Sequence, residues 1–483
     1  MKPITSLFIL FFTLFISADS IEPSLNPVVY ASDSVNKPVL NKTIHAVIIR
    51  GNKRTQEFVI RGYLPFDTRS AYDSSMLSIA KRRLERTGLF SEVNLFAIQK
   101  AKGVDIHIIV AEMFFIPIDN AGLTYYSRRY GQDYGWLKFS FGLTDFNFGG
   151  RAESFAVWGS FWESKGLGVS WSKPLLPSPY SLSISASVNE GPDLLSARRL
   201  FFTAGSVSVG RKLFENSRVS LSITPIYSIL DTVDAPSLQH KFYETFIGLG
   251  WSTDRRDHGF APSRGWSFSC EAKSNYLLTA DSSNDAIPLK TSKYAQFSLD
   301  ARLYHRGIFE NHVVGYWLKT TVRDADGGPF RILAAGSDGS LRGYRSGELG
   351  GRVRANDRIT FALEYRYPIW TAPIIEFPWL DNLPNPLRTL AQDATKGFFY
   401  RFDGAMIADG ALLWNAIEDI AHPFTMDQEH GLGLGCGLRL LYPNLRRSFC
   451  IDIVYPVYIA GLPAATVSTA SGPTVHWYID MYF

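Results

Sequence analysis

Cysteine is scarce here: three residues in a chain of 483, too few to build a disulfide scaffold of this length. Excess charge of one sign is missing as well. Forty-nine Lys and Arg set against 45 Asp and Glu leave a formal +4, and without long basic runs nothing points to a nucleic-acid partner. Charged residues make up only 19% against 46% hydrophobic, which excludes disorder as the dominant state. Enzyme signatures are absent too. There is no Gly-x-Ser-x-Gly elbow and no phosphate loop of the Walker type. Nine histidines are scattered with no pair at metal-ligand spacing. Gly431, Gly433, Gly435 and Gly437 alternate, which clears one face of a strand. A dinucleotide fingerprint would need Gly where Cys436 stands and a helix after it. Asp254 and Asp257 read as turn and rim charges. No catalysis, cofactor or metal is expected.

Apolar runs long enough for a membrane helix are also missing, with one short exception at the start. Leu7 to Ile16 is apolar apart from Thr13, follows Met1-Lys2, and precedes the small residues Ala18-Asp19-Ser20. The run falls short of the roughly 20 residues that span a bilayer and fits a signal peptide over 1–20. An exported chain without a membrane helix is either soluble outside the cytoplasm or a transmembrane barrel. Residues 21–43, with Pro23, Pro27 and Pro38 among Ser and Asn, read as a linker.

What is there divides in two. Residues 44–118 read as a small α+β module. Ile44 to Ile49 is a strand stopped at Arg50-Gly51-Asn52, and Thr55 is placed to cap a short helix to about Arg61, ended by Gly62. Asp73 or Ser74 caps a second helix, whose Met76, Ile79, Ala80 and Leu84 share one face before Gly88 stops it. Val93, Leu95 and Ala97 alternate in the next strand, and Val104, Ile106, Ile108 and Val110 in the last. The strings Ile49-Arg50-Gly51-Asn52-Lys53-Arg54-Thr55 and Leu84-Glu85-Arg86-Thr87-Gly88-Leu89-Phe90-Ser91-Glu92-Val93 resemble a POTRA domain. The resemblance implies a periplasmic module that binds extended polypeptide along a sheet edge.

From 119 to 483 the pattern is strands and turns, rich in aromatics, with 34 Phe, 23 Tyr and 11 Trp in the whole chain. In Ser181-Leu182-Ser183-Ile184-Ser185-Ala186-Ser187-Val188 one face is apolar and the other is all Ser. A soluble sandwich must cover such an apolar face with a partner sheet, whereas a membrane barrel turns it to lipid. Export, aromatic content and the absence of a long helical segment favour an all-β transmembrane barrel. About sixteen antiparallel strands of about 10 residues would use less than half the length. At the end, Val475, Trp477, Ile479, Met481 and Phe483 share a face and the chain stops on Phe483. Strand parity turns Cys270 and Cys436 outward and Cys450 inward, so no disulfide is expected.

Further blocks resemble the BamA-type outer-membrane assembly superfamily, also called the surface-antigen family. Asp145-Phe146-Asn147-Phe148-Gly149-Gly150-Arg151 is similar to its first hairpin. Thr253-Asp254-Arg255-Arg256-Asp257 with Pro262-Ser263-Arg264-Gly265 is similar to its mid-barrel turn, and Glu364-Tyr365-Arg366-Tyr367-Pro368 to the strand after its sixth loop. The Gly-rich stretch 324–356 contains Gly336-Ser337-Asp338-Gly339-Ser340-Leu341-Arg342-Gly343-Tyr344. Its Arg-Gly-aromatic tip implies a loop folded into the barrel against a carboxylate on an inner strand. The matching strand is Ile407-Ala408-Asp409-Gly410-Ala411-Leu412-Leu413-Trp414, which departs from the family pattern at Ile407 and Ala411.

The resemblance therefore implies a loop lock of Arg342, Gly343, Tyr344 and Asp409. It also implies a substrate seam between first and last strands, placed at Trp136 and Phe139 on one side and Trp477, Ile479 and Phe483 on the other. The implied activity is folding and insertion of outer-membrane proteins, without chemistry, in the bacterial outer membrane with the POTRA domain in the periplasm. Implied partners are unfolded outer-membrane or exported polypeptides, outer-membrane lipids, and periplasmic chaperones or accessory lipoproteins. The rival readings are a polypeptide exporter of the same superfamily and a passive structural or pore barrel.

Overall fold

The computed structural model describes residues 43–100, 103–112, 118–126, 136–162, 165–174, 178–192, 199–214, 216–231, 239–257, 261–282, 293–324, 355–371, 401–415, 428–442, 447–457 and 473–479. Between strands it also describes 333, 335–336, 341–344, 349, 378, 382, 384 and 388. The signal peptide, nearly all of the linker, and Phe483 lie outside these residues.

The amino-terminal module is a three-stranded sheet under two helices. β1 (Ile44–Arg50), α1 (Glu57–Tyr63), α2 (Ser74–Arg86), β2 (Phe90–Lys100) and β3 (Gly103–Glu112) follow in order. The sheet order is β1-β3-β2, with β1 parallel and β2 antiparallel to β3. Val59, Ile60, Ala80, Leu84, Val93, Ile106 and Ile108 close its core. Asp73 caps α2 by accepting from the Ser75 amide, and the Ser75 hydroxyl together with that amide holds its carboxyl below the ordinary value. Thr55 does not cap α1. Gln56 occupies that position without a side-chain capping bond, and the Thr55 hydroxyl is taken by Asn147 of the barrel. The helix also runs past Gly62 to Tyr63 and ends without a left-handed residue.

Sixteen strands close a second, larger sheet on itself. They are β4 (Ile118–Tyr126), β5 (Trp136–Phe148), β6 (Glu153–Trp162), β7 (Lys165–Pro174), β8 (Tyr180–Pro192), β9 (Arg199–Phe214), β10 (Ser217–Asp231) and β11 (Gln239–Asp254) in the first half. The second half is β12 (Gly265–Ser282), β13 (Lys293–Arg306), β14 (Val313–Arg323), β15 (Asp357–Thr371), β16 (Arg401–Trp414), β17 (Gln428–Tyr442), β18 (Arg447–Val457) and β19 (Thr474–Ile479). Each pairs antiparallel with its neighbours, and β19 returns to β4. Closure removes the open edges that lipid cannot satisfy. No helix among the described residues is long and apolar enough to cross a membrane.

The outer face is bare of protein. Val207 and Val209 are 49% exposed and Leu249 58%, at positions where a sandwich would bury them. Their chain neighbours Ser206, Ser208, Gly248 and Gly250 face inward, so the period-2 pattern read from the sequence divides the outer surface from the lumen. Parity holds for the cysteines as well: none of the three is in a disulfide, and Cys436 is exposed while Cys450 is buried.

The module and the barrel meet at the turn between β5 and β6. The Arg54 guanidinium pairs with Asp145, and the Asn147 amide donates to the Thr55 hydroxyl at 2.9 Å. The Gln56 backbone donates to the Gly150 carbonyl at 2.8 Å and its side chain to the Gly149 carbonyl at 3.0 Å. Glu112, at the end of β3, holds the docking loop by accepting from the Arg54 and Thr55 amides. Gly150 sits at φ +73, and a Cβ there would stand 2.1 Å from the Arg54 carbonyl oxygen, so only glycine fits. Two of the motifs read separately from the sequence thus form one joint.

Candidate functional site

Inside the barrel, the loop between β14 and β15 brings residues 341–344 down onto β16 and β17. Gly343 turns the chain there at φ +93. The Arg342 guanidinium donates from Nε to Asp409 Oδ2 at 2.7 Å and from Nη2 to Asp409 Oδ1 at 2.8 Å. These are the two parallel bonds of a bidentate pair. The Arg342 backbone amide adds a third contact to Asp409 Oδ2 at 3.2 Å. The Tyr344 hydroxyl receives the Leu432 amide at 3.2 Å.

The pair is part of a larger dry cluster. Arg342 Nη1 also donates to Asp452 Oδ2 at 2.7 Å and reaches Glu364 Oε2 at 3.4 Å. Arg439 donates from Nη2 to Glu364 Oε2 at 2.7 Å and from Nη1 to Asp452. The Tyr478 hydroxyl donates to Asp452 Oδ2 at 2.6 Å. Arg342, Arg439, Asp409 and Asp452 are all at 0% exposure and Glu364 is at 1%. Arg366 Nε also lies 3.9 Å from Glu364 Oε1, so three carboxylates are set among three guanidinium groups, nearly out of reach of water. Each ion's desolvation is offset only by its partners.

Around the ions, the tip is held by packing. Leu341, Tyr344 and Leu349 bury against Ala335, Ala355, Ala411 and Leu413. Ala411 and Ile407, the two departures from the family strand pattern, are both used: Ala411 packs on the loop, while Ile407 joins Ala405 and Val454. The alternating glycines of β17 have a definite role. A Cβ on Gly433 would stand 2.3 Å from the Arg342 carbonyl oxygen, and one on Gly431 would meet Leu349, Tyr344 and Leu341. The cleared strand face is the floor on which the tip lies.

The seam falls one strand earlier than the sequence reading placed it. β19 pairs with β4, along Thr474–Tyr478 against Gly122–Tyr126. Trp136 and Phe139 lie on β5, registered with Tyr126 and Leu123 of the seam strand, and so stand one strand behind the junction. In the strand 118–126 Asn120, Gly122 and Thr124 alternate with Ala121, Leu123 and Tyr125, a short run at the boundary with the α+β module that the sequence reading did not single out. Trp477 and Ile479 do lie on the last strand, registered with Ile451 and Phe449 of β18.

Comparisons with known proteins agree with this architecture. The Omp85 superfamily domain matches residues 147–380, and a POTRA repeat described as the surface antigen variable number repeat matches residues 42–113. The chain belongs to the Omp85 superfamily. Among solved structures, the fold is similar to BamA from Haemophilus ducreyi lacking POTRA domains 1–3, at 17% identity and TM-score 0.53, covering 91% of this chain and 84% of that one. It is also similar to CdiB from Acinetobacter baumannii, at 12% identity and TM-score 0.56, covering 91% and 74%. For CdiB from Escherichia coli the values are 11% and 0.52, covering 96% and 94%. Among curated proteins, none matches.

In this Omp85 barrel the Arg342 site is wider than sequence reasoning found. Glu364, Arg439, Asp452 and Tyr478 were missed. A signal existed: Glu364, Arg439 and Asp452 each interrupt an apolar strand as a charged residue at an inward position. A charge placed there in a closed barrel must find a partner or water. What the sequence does not carry is which inward charges converge, since β15, β17, β18 and the loop are far apart in the chain.

Proposed function

We propose that this Omp85 protein folds and inserts outer-membrane β-barrel proteins, without chemical catalysis, from the bacterial outer membrane with its POTRA domain in the periplasm. The carrying observation is the seam. Among the described residues, β19 and β4 share the shortest ladder of the barrel, while β10 and β11 pair from Ser217 to Asp231 without a gap. Unpaired backbone in lipid is costly, so a short ladder is where a closed sheet opens most readily. An incoming strand would complete the exposed edges by the pairing that closes the barrel itself. The free side of β2, at the edge of the POTRA sheet, supplies a second pairing edge, and the joint at Asn147 and Gly150 holds that module next to β5 and the seam. The Arg342–Asp409 pair acts as a lock that keeps the loop inside during the cycle. Periplasmic chaperones, accessory lipoproteins and outer-membrane lipids are the further partners this role implies.

A disulfide across the seam tests the proposal. Tyr125 and Val475 are registered partners, and facing residues of antiparallel strands lie within disulfide reach. With Tyr125→Cys and Val475→Cys, oxidation is expected to stop insertion of an unfolded barrel client into proteoliposomes, and reductant to restore it. Unchanged insertion by the oxidised protein refutes the seam mechanism. If the locked protein still passes an exported polypeptide while inserting nothing, the exporter reading replaces this one.

A further inference from the structure

The lumen has two charged regions of different character. The cluster around Arg342 is dry, and its guanidinium groups are matched by carboxylates. A second region, on β13–β15, is reached by water: the Asp300 and Arg302 side chains are 25% and 28% exposed. Here Arg302, Trp317 and Ala362 share one register level, and Asp300, Lys319 and Thr360 the next, with Arg358 opposite Thr321 beyond. The Arg302 guanidinium lies 5.4 Å from the centre of the Trp317 ring and the Lys319 ammonium 5.8 Å, so one indole carries two cations.

Lys319 is the unbalanced member. Asp300 is taken by Arg302, whose Nε and Nη2 donate to it at 3.0 and 3.4 Å. Among the described residues no carboxylate lies within ion-pair distance of Lys319. Arg302 and Arg358 both repel its ammonium, and Asp300 attracts it. β14 itself, Val313–Arg323, contains Lys319 and Arg323 and no acidic residue at all. Another part of the wall, on β7–β10, carries a row of hydroxyls: Ser172, Ser183, Ser208 and Ser222 stand in one register row across four strands. A segment in the lumen would meet hydroxyls there and cations on β13–β15.

We propose that the β13–β15 face of the lumen, centred on Lys319 and Trp317, binds the carboxylate side chains of an extended polypeptide. An ammonium in a partly desolvated wall beside other cations gains most from an arriving anion, because water competes less there than at the surface. The indole gives the aliphatic part of the segment a flat apolar surface, and the serine row offers it hydroxyls. The proposal rests on the reading that the client is a polypeptide, but not on whether that client leaves through the seam or the lumen.

The test uses the full chain in detergent micelles and a labelled peptide of alternating Ser and Glu. This peptide is expected to bind more tightly than its Ser-Gln and Ser-Lys counterparts, and less tightly as salt is raised. Lys319→Gln should weaken it roughly tenfold, the effect of losing one charge-assisted contact, while Lys319→Arg keeps it. Zero-length carbodiimide coupling on the unaltered protein gives a readout free of folding effects: the peptide carboxylate should become joined to the Lys319 amine. Equal binding of the three peptides, or coupling confined to lysines outside the lumen, overturns the proposal. If the Ser-Glu peptide couples to Lys319 while the seam disulfide leaves insertion unchanged, the insertion mechanism fails and the site stands.

Discussion

At the scale of the residue, Arg342 holds the least replaceable position in the protein. It neutralises parts of three carboxylates at once, and its planar fork makes the two parallel bonds to Asp409 that a lysine cannot reproduce. Arg342→Ala strips Asp409 of its bidentate partner and leaves Asp452 and Glu364 to Arg439 and Arg366. The expected loss is about 3–5 kcal/mol, the cost of breaking a buried pair from one side. Unfolding of the detergent-solubilised protein measures it, and trypsin should then cut the loop at Arg345, Arg352 or Arg354. Gly433→Val approaches the same lock without touching a charge. Valine suits a strand, so β17 should still pair, but its Cβ takes the space of the Arg342 carbonyl. Loop cleavage with little change in barrel stability is the expected outcome. Protection of the loop in Gly433→Val would mean that the glycine floor does not position the tip.

Elements give a different kind of constraint. The β5–β6 turn is a hairpin closed by its own side chains: Asp145 accepts from the Asn147 amide, and the Asn147 side-chain carbonyl accepts from the Ala152 amide. That leaves the Asn147 amide nitrogen to donate to Thr55, so a single side chain shapes the turn and docks the POTRA domain. Asn147→Ala removes both functions and strands the buried Thr55 hydroxyl, at an expected cost of about 1–3 kcal/mol to the docked state. Gly150→Val excludes docking sterically. In both variants hydrogen exchange should quicken at Arg54, Thr55 and Gln56 while the β10–β11 ladder keeps its protection. Exchange unchanged at those three residues would show that the contacts add nothing to docking.

For the whole molecule, closure makes every strand depend on its weakest ladder. If the seam is where the barrel opens, amides of β4 and β19 should exchange faster than those of β10 and β11 in the intact protein, and oxidation of the Tyr125–Val475 cysteine pair should remove the difference. Uniform exchange around the barrel counts against a seam that opens under native conditions. The dry cluster lies beside this junction: Tyr478 of β19 donates to Asp452, which also receives Arg342 and Arg439. Loop lock and last strand therefore share a carboxylate, and Arg342→Ala should also quicken exchange along β19.

Much of this protein was determined by its sequence alone. Two periods, one helical and one of two residues, divided the chain into a small α+β module and a sheet. The serine–aliphatic alternation of 181–188, together with the export signal and the aromatic content, favoured a barrel with its apolar face outward. Arg342 and Asp409 were legible because each stands in a short string with a recognisable pattern. Local order of this kind is written in neighbouring residues, since backbone geometry sets the spacing. Tertiary structure decided the rest. The first barrel strand, 118–126, alternates over only a few residues beside the α+β module, and closure of the barrel made it the partner of β19. Glu364, Arg439 and Asp452 became one site only when closure of the barrel brought their strands around the loop tip. The docking of Thr55 on Asn147 likewise joins residues 92 positions apart. Which charges meet is a property of the closed sheet, because an ion's surroundings in a lumen come from strands remote in the chain.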